Sequence, residues 1–258
     1  MQESALTAEK KNNFKLALRF TVNQEELQHL CRNLVRLIED EAAKGQSTGM
    51  IAVKISRAIK LAVDIKFEDK LINDEEHPVI HEGKDPEFNS FKANIVRGMF
   101  ITFVEHPQGF PGFFDILSGI AGAGLGLGKI KIAGHEDPVK FEALKQFYPE
   151  AEKLRIAQIE LIKTFMCPEK LAAFPSIRLG TYTVLTGCAL LPFYSACEKL
   201  RYPEQKDSEA CIESACNIVK FKFSGNSECM NKFFSQNLFK VLFEELFAHE
   251  STVFSIFQ

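Results

Sequence analysis

The residues best placed to do chemistry lie in a glycine-rich run, GFPGFFDILSGIAGAGLGLGKIKIAG, from Gly109 to Gly134. It holds eight of the chain's 15 glycines and carries no charge between Asp115 and Lys129. Backbone without side chains lets N–H groups approach a phosphate, and a lysine closing such a run supplies the counter-charge. Ala123 to Lys129 reads A-x-x-x-x-G-K, one residue type away from a phosphate-cradling loop. Ile130, however, stands where magnesium would need a serine or threonine. The dinucleotide pattern G-x-G-x-x-G fails at Leu127 in the register that starts at Gly122. Gly122, Gly124, Gly126, Gly128 and Lys129 are therefore the candidate anion-binding residues. The same run offers a second chemistry: Phe113 and Phe114, with Ile116, Leu117 and Ile120, suit insertion at a membrane interface. A plainer role is packing, because missing side chains let neighbouring backbones come close.

Two further clusters hold groups that titrate or ligate. His77 and His81 are four apart, preceded by Asp74, Glu75 and Glu76 and followed by Glu82. Histidines at that spacing on a helix can share a metal. Pro78 interrupts any such helix, and neither H-E-x-x-H nor H-x-x-E-H is present, so a solvated acidic loop is expected and no metal site is assigned. Glu105-His106 and His135-Glu136-Asp137 flank the glycine run, and a histidine beside carboxylates can act as a general base. No spacing singles out a nucleophile, since Ser118 or any cysteine would serve. Capping of helix ends accounts for His106 and Asp137. Catalytic residues and cofactor stay unassigned.

Composition narrows the classes. The formal charge is −3, and lysine and arginine are scattered singly rather than gathered into a basic face, which argues against nucleic acid as partner. Met1 to Asn13 is polar, without the apolar stretch of a secretory signal, so the cysteines are expected to be reduced. Cys167, Cys188, Cys197, Cys211, Cys216 and Cys229 lie in the second half, with no C-x-x-C pair, and read as small buried apolar groups. At 46% apolar and 25% charged residues, 258 residues suffice for one full core, rich in its 24 phenylalanines and without tryptophan.

The elements that must position these groups follow from periodicity. Phe14 to Phe20 alternates strictly and reads as a half-buried strand. Asn23 and Glu26 form a capping-box pattern that opens a helix through Leu27, Leu30, Cys31, Leu34 and Ile38 to about Lys44, ended by Gly45. Ile51 to Phe67 fits two strands bent near Ser56–Arg57, favoured over one long helix because of its β-branched residues. Asp85-Pro86-Glu87 opens a helix through Phe91, Ile95, Phe100 and Val104, and Asp137-Pro138 repeats that signal. Pro149 and Pro168, each followed by glutamate, mark further helix starts. The first precedes an apolar helix through Leu154, Ile159, Ile162 and Phe165. Leu179 to Cys197 carries no charge over 19 residues, near the length of a membrane span. Three threonines, two glycines, two tyrosines and Pro192 make a buried central helix or strand–helix pair the expectation. Val219, Phe221 and Phe223 alternate as a late strand. After Gly225-Asn226 one last helix gathers Met230, Phe233, Phe234, Leu238, Val241, Leu242 and Leu246 on a face.

Two short stretches resemble known families. Gly124-Leu125-Gly126-Leu127-Gly128 resembles the lid segment of the histidine-kinase type of ATPase fold, although that family's acidic D-x-G-x-G segment has no counterpart at a sensible distance. Glu244, Glu245 and Glu250, with Ile256 two residues before Gln258, are similar to the acidic, hydrophobic-ended export signal of type IVB secreted effectors of intracellular bacteria. The expected fold is α+β and mostly helical, with short strands near the N-terminus and around 219–223. It forms a single unit over 1–258 with a candidate sub-boundary at 109–134. The expected function is interaction or regulation at a protein or membrane surface, in the cytoplasm or after signal-peptide-independent secretion into a host cell. The alternative is a nucleotide- or phosphate-binding enzyme using 122–129.

Overall fold

A capping box starts the first long helix. The Asn23 side chain accepts the Glu26 backbone N–H at 2.9 Å, and the Glu26 carboxylate accepts that of Asn23 at 2.8 Å. Two otherwise orphaned donors are satisfied reciprocally, and helix α1 runs Gln24–Ala43. It stops where Gly45 takes φ 76°, a left-handed turn that a side chain would resist. The computed structural model describes residues 13–17, 20–68, 80, 86–105, 118, 120–124, 129–130, 137–204 and 207–258. Among these the protein is mostly helical, with two small antiparallel ladders.

The N-terminal strand is shorter than its alternation predicts. β1 (Asn13–Ala17) turns back on β2 (Phe20–Asn23), pairing Phe14 with Val22 and Lys15 with Thr21, with an irregularity before Ala17. The slip puts Leu16 and Ala17 both inside, which strict period two would not allow.

The two strands expected over Ile51–Phe67 are instead one helix, α2 (Thr48–Phe67), with Ser47 as N-cap accepting from the Met50 N–H. From Ile51 to Ile59 the helix is buried on every side. Ile51, Ala52, Val53, Ile55 and Ile59 are fully buried, and Lys54, Ser56 and Arg57 are buried among them, so no exposed face marks a helical period there. Packing against α1 and the chain's end outweighs the small cost of β-branched residues in a helix. Helix α3 (Ser90–Glu105) begins at Asn89, whose side chain accepts the Lys92 N–H at 3.2 Å, rather than at the Asp85-Pro86-Glu87 signal. Phe91 points outward there, while Val96, Phe100 and Val104 face the core.

From residue 129 onward the chain is again short pieces and helices. β3 (Lys129–Ile130) pairs with β4 (Val139–Lys140), so Asp137-Pro138 leads into a strand, and α4 (Phe141–Leu144) follows it. A tight turn at Lys145–Phe147 leads to α5 (Ala151–Phe165), then α6 (Pro168–Leu171), α7 (Ile177–Ala189) and α8 (Leu191–Arg201). The uncharged stretch is the α7–α8 pair. Its threonines are buried at little cost, because Thr181, Thr183 and Thr186 donate to carbonyls four residues back at 2.8–2.9 Å. Gly187 lets α7 close on Phe223: a Cβ there would meet the ring at 2.8 Å. No helix among the described residues is long and apolar enough to cross a membrane.

The strand expected at Val219–Phe223 is the end of helix α9 (Ser208–Lys222), capped by Asp207. Val219 and Phe223 are buried one turn apart, whereas Phe221 is 78% exposed; an outward aromatic between two inward residues imitated a strand. The single last helix is three: α10 (Glu228–Ser235), α11 (Asn237–Phe247) and α12 (Glu250–Ser255). The aromatic core sits where α3 meets them. Phe100 lies 4.7 Å by ring centroid from both Phe233 and Phe243, and Phe243 lies 4.9 Å from Phe247.

Candidate functional site

The glycine run is described only in part. Ile120–Gly124 forms one π-helical turn packed against α3, with Gly122 buried, and Ser118 is exposed. Gly124 belongs to that turn. Lys129 is exposed on β3, directly across from Lys140. Phe113, Phe114, Gly126 and Gly128 lie outside the described residues, as do His77, His81, His106, His135 and Glu136. Among the described residues no three of histidine, cysteine, aspartate and glutamate gather in a metal-holding group.

The cysteines are thiols, with no disulfide between them. Burial, then the neighbouring Cys167 and Glu169, pushes the Cys31 thiol up to about 12. Burial likewise raises Cys188 well above its ordinary value and raises Cys216. A thiol that resists ionising is a poor nucleophile, so these three serve packing.

The buried charges are structural. Glu41, fully buried on α1, accepts from Lys54 at 2.5 Å and Lys44 at 2.9 Å. Burial raises its carboxyl, but those two ammonium groups outweigh burial and hold it below the ordinary carboxylate range. Lys66 of α2 pairs with Glu26. At the other face of α2, Arg57 grips Glu250 through two hydrogen bonds of 3.0 and 2.7 Å. Arg97 of α3 donates to the carbonyls of Ser255 and Ile256 at 3.2 and 2.7 Å, and the Asn89 N–H donates to Ser255 Oγ at 2.7 Å. The acidic, hydrophobic end noted in the sequence is thus packed down: Ile256 is fully buried, and Glu244 pairs with Arg178 at 3.4 Å.

Two features were not legible in the sequence. One is the outer face of α11. Phe243 and Phe247 are fully buried, but Leu238 is 72% exposed, Val241 49% and Leu242 39%, one helical turn apart on a single stripe. The expectation that these three share the core-facing side with Phe233 and Phe234 is corrected, because the break at Gln236 re-aims the helix. Of the other exposed apolar residues among those described, Ile156 and Phe221 stand on separate helices, and Phe88 and Phe91 lie at the start of α3. The other feature is a pocket of about 270 Å³ between the 145–150 turn, α8 and the start of α9. Its walls are Gln146, Phe147, Tyr148 and Pro149, with Ser195, Lys199, Ser208 and Cys211. The only sequence signal was Ser195 and Lys199 four apart on one helix. The chain matches no family model, no curated protein and no solved structure.

Proposed function

We propose that this chain is an interaction or regulatory protein that binds a protein or membrane surface, with the outer face of α11 as part of the contact. The carrying observation is the exposed stripe Leu238, Val241, Leu242 on a helix whose opposite side is locked into the aromatic core. Scattered exposed apolar residues are ordinary, whereas a contiguous stripe on a rigid helix is costly to leave wet. Burying that stripe supplies roughly 25 cal/mol for each Å² removed from water.

A secreted bacterial effector is the setting to which the tail resemblance points. Such use of the tail requires the α12 segment to come away from Arg57 and Arg97, since its hydrophobic residue is buried as folded. A translocation reporter fused to the chain, with Glu244 and Glu245 changed to alanine, tests that part.

Co-sedimentation with anionic liposomes separates the two surfaces. If the membrane is the partner, the wild type pellets and both Leu238→Asp with Leu242→Asp and Phe113→Asp with Phe114→Asp stay in solution. If the wild type does not pellet, the membrane branch is lost. A photo-reactive residue at position 241, expressed in cells, then decides whether any protein is bound there.

The competing reading, a nucleotide- or phosphate-binding enzyme using 122–129, draws on one arrangement: Lys129 stands opposite Lys140, and like charges so placed repel unless an anion sits between them. Thermal stabilisation by a nucleotide with magnesium, lost in Lys129→Ala, would support it. No shift removes it.

A further inference from the structure

The bend between α11 and α12 is not written in the residues that make it. Ala248, at the end of α11, keeps helical angles, so no left-handed glycine or asparagine stops that helix. His249, the N-cap of α12, gives no side-chain hydrogen bond to the helix it opens. No glycine or proline occurs from Asn237 to Ser255. His249 alone, at φ −93° and ψ 119°, sets the two helices apart. Turned to helical angles, it would let one helix run from Asn237 to Ser255, about 28 Å long at 1.5 Å per residue.

What holds the bend is the seat of α12 on α2 and α3. Arg57 of α2 grips Glu250 at the start of α12 with hydrogen bonds of 3.0 and 2.7 Å. Arg97 of α3 closes the other end on the carbonyls of Ser255 and Ile256, and Ser255 Oγ accepts the Asn89 N–H. Val253 and Ile256 are fully buried. Gly49 leaves room for the arm: a Cβ there would meet the Phe254 carbonyl at 3.1 Å and its ring at 3.2 Å. A six-residue helix does not persist in isolation, so these contacts fix it. The seat has one fault. Thr252 Oγ1 is buried without a hydrogen-bond partner, although a helical threonine can donate one turn back, as Thr181 does.

A second copy offers the same groove with the same charges. An α12 that leaves its own groove by straightening at His249 finds an identical seat there, and the exchange is reciprocal. The exchanged pair keeps the contacts just described and gains the hydrogen bonds of an unbroken helix across His249, against the entropy of bringing two chains together. We propose that α12 is an exchangeable arm whose partner is a second copy of this chain, the two copies trading α12 into each other's α2–α3 groove. The groove shares no residue with the outer face of α11, and the exchange does not rest on that reading.

Charge reversal reads the exchange. Arg57→Glu sets two carboxylates face to face in one chain, and Glu250→Arg sets two guanidinium groups face to face in another, so neither chain seats its own arm well. Mixed in equal amounts, with one chain carrying a size tag, each arm matches the other chain's groove. Native mass spectrometry is expected to show the mixed dimer at least about tenfold more abundant than the dimer of either chain alone, since facing like charges are strongly disfavoured. Both changes in one chain should restore a folded monomer at micromolar concentration. A folded double variant, with no mixed dimer from the single variants, would overturn the proposal. If the double variant does not fold, the wild type decides. Tagged and untagged chains held together at high concentration in mild urea, then returned to buffer, should form a mixed dimer that survives Leu238→Asp with Leu242→Asp. No mixed dimer would overturn the exchange, and so would one lost with those two changes, which assigns the contact to α11 instead. Failure of the exchange and failure of the α11 reading are thus separate results.

Discussion

Helices α2 and α11 are both rich in apolar residues, yet they spend them differently. In α2 every apolar residue from Ile51 to Ile59 is inside, and the polar residues among them are held by partners: Lys54 by Glu41 and Arg57 by Glu250. In α11 the inner stripe, Phe243 and Phe247, completes the aromatic core, while Leu238, Val241 and Leu242 lie outside it. Apolar side chains in α2 are explained by folding. Those on the outer side of α11 are surplus to folding, and surplus apolar surface is where a partner would gain most.

If that contrast is right, the costs of substitution should separate. The largest loss is expected in the aromatic core: Phe100→Ala removes a ring that stacks on Phe223 and packs tilted against Phe233 and Phe243, and should cost about 3–5 kcal/mol in urea unfolding. Next comes Lys54→Met, which strips a fully buried carboxylate of one of its two ammonium partners and should cost about 3 kcal/mol. That pair also carries a pH signature. Glu41 titrates below its unfolded value, so its contribution is complete above the ordinary carboxylate range and is lost as pH falls through the depressed folded value. Stability measured from neutral to acid pH should therefore fall more steeply in the wild type than in Lys54→Met.

Gly187→Ala is a smaller break. The added methyl would sit 2.8 Å from the Phe223 ring, and the strain, partly offset by alanine's better helix propensity, should leave a net loss of about 1–2 kcal/mol. The smallest effect is expected on α11: Leu238→Asp and Leu242→Asp should each change stability by no more than about 0.5 kcal/mol. A loss as large as that of Gly187→Ala would mean the stripe belongs to the core after all.

The same contrast explains what the sequence could and could not disclose. Helix α1 was legible because its boundary is written locally, in Asn23, Glu26 and Gly45, and because one side is wet. Helix α2 was not, because burial all round from Ile51 to Ile59 erases the polar face that sets the period, and its isoleucines and valines then look like strand residues. At Val219–Phe223 the outward ring of Phe221 supplied a false alternation. On α11 the apolar residues cover both sides, so the pattern alone does not say which side is inside; the turn at Gln236 decides it. The Ser195 pocket draws its walls from three stretches of chain, and only the Ser195–Lys199 spacing is local. Of the glycine run that looked most chemical, the described turn at Ile120–Gly124 packs against α3.

On the proposal made above, the outer face of α11 is kept apolar for a partner. Its most direct test places a photo-reactive residue at position 241, with position 160 on the exposed polar side of α5 as control, and compares adducts formed in cells. A discrete adduct, lipid or protein, is expected at 241, absent at 160 and abolished when Leu238 and Leu242 are changed to aspartate in the still-folded chain. Equal, diffuse labelling at 241 and 160 would contradict it.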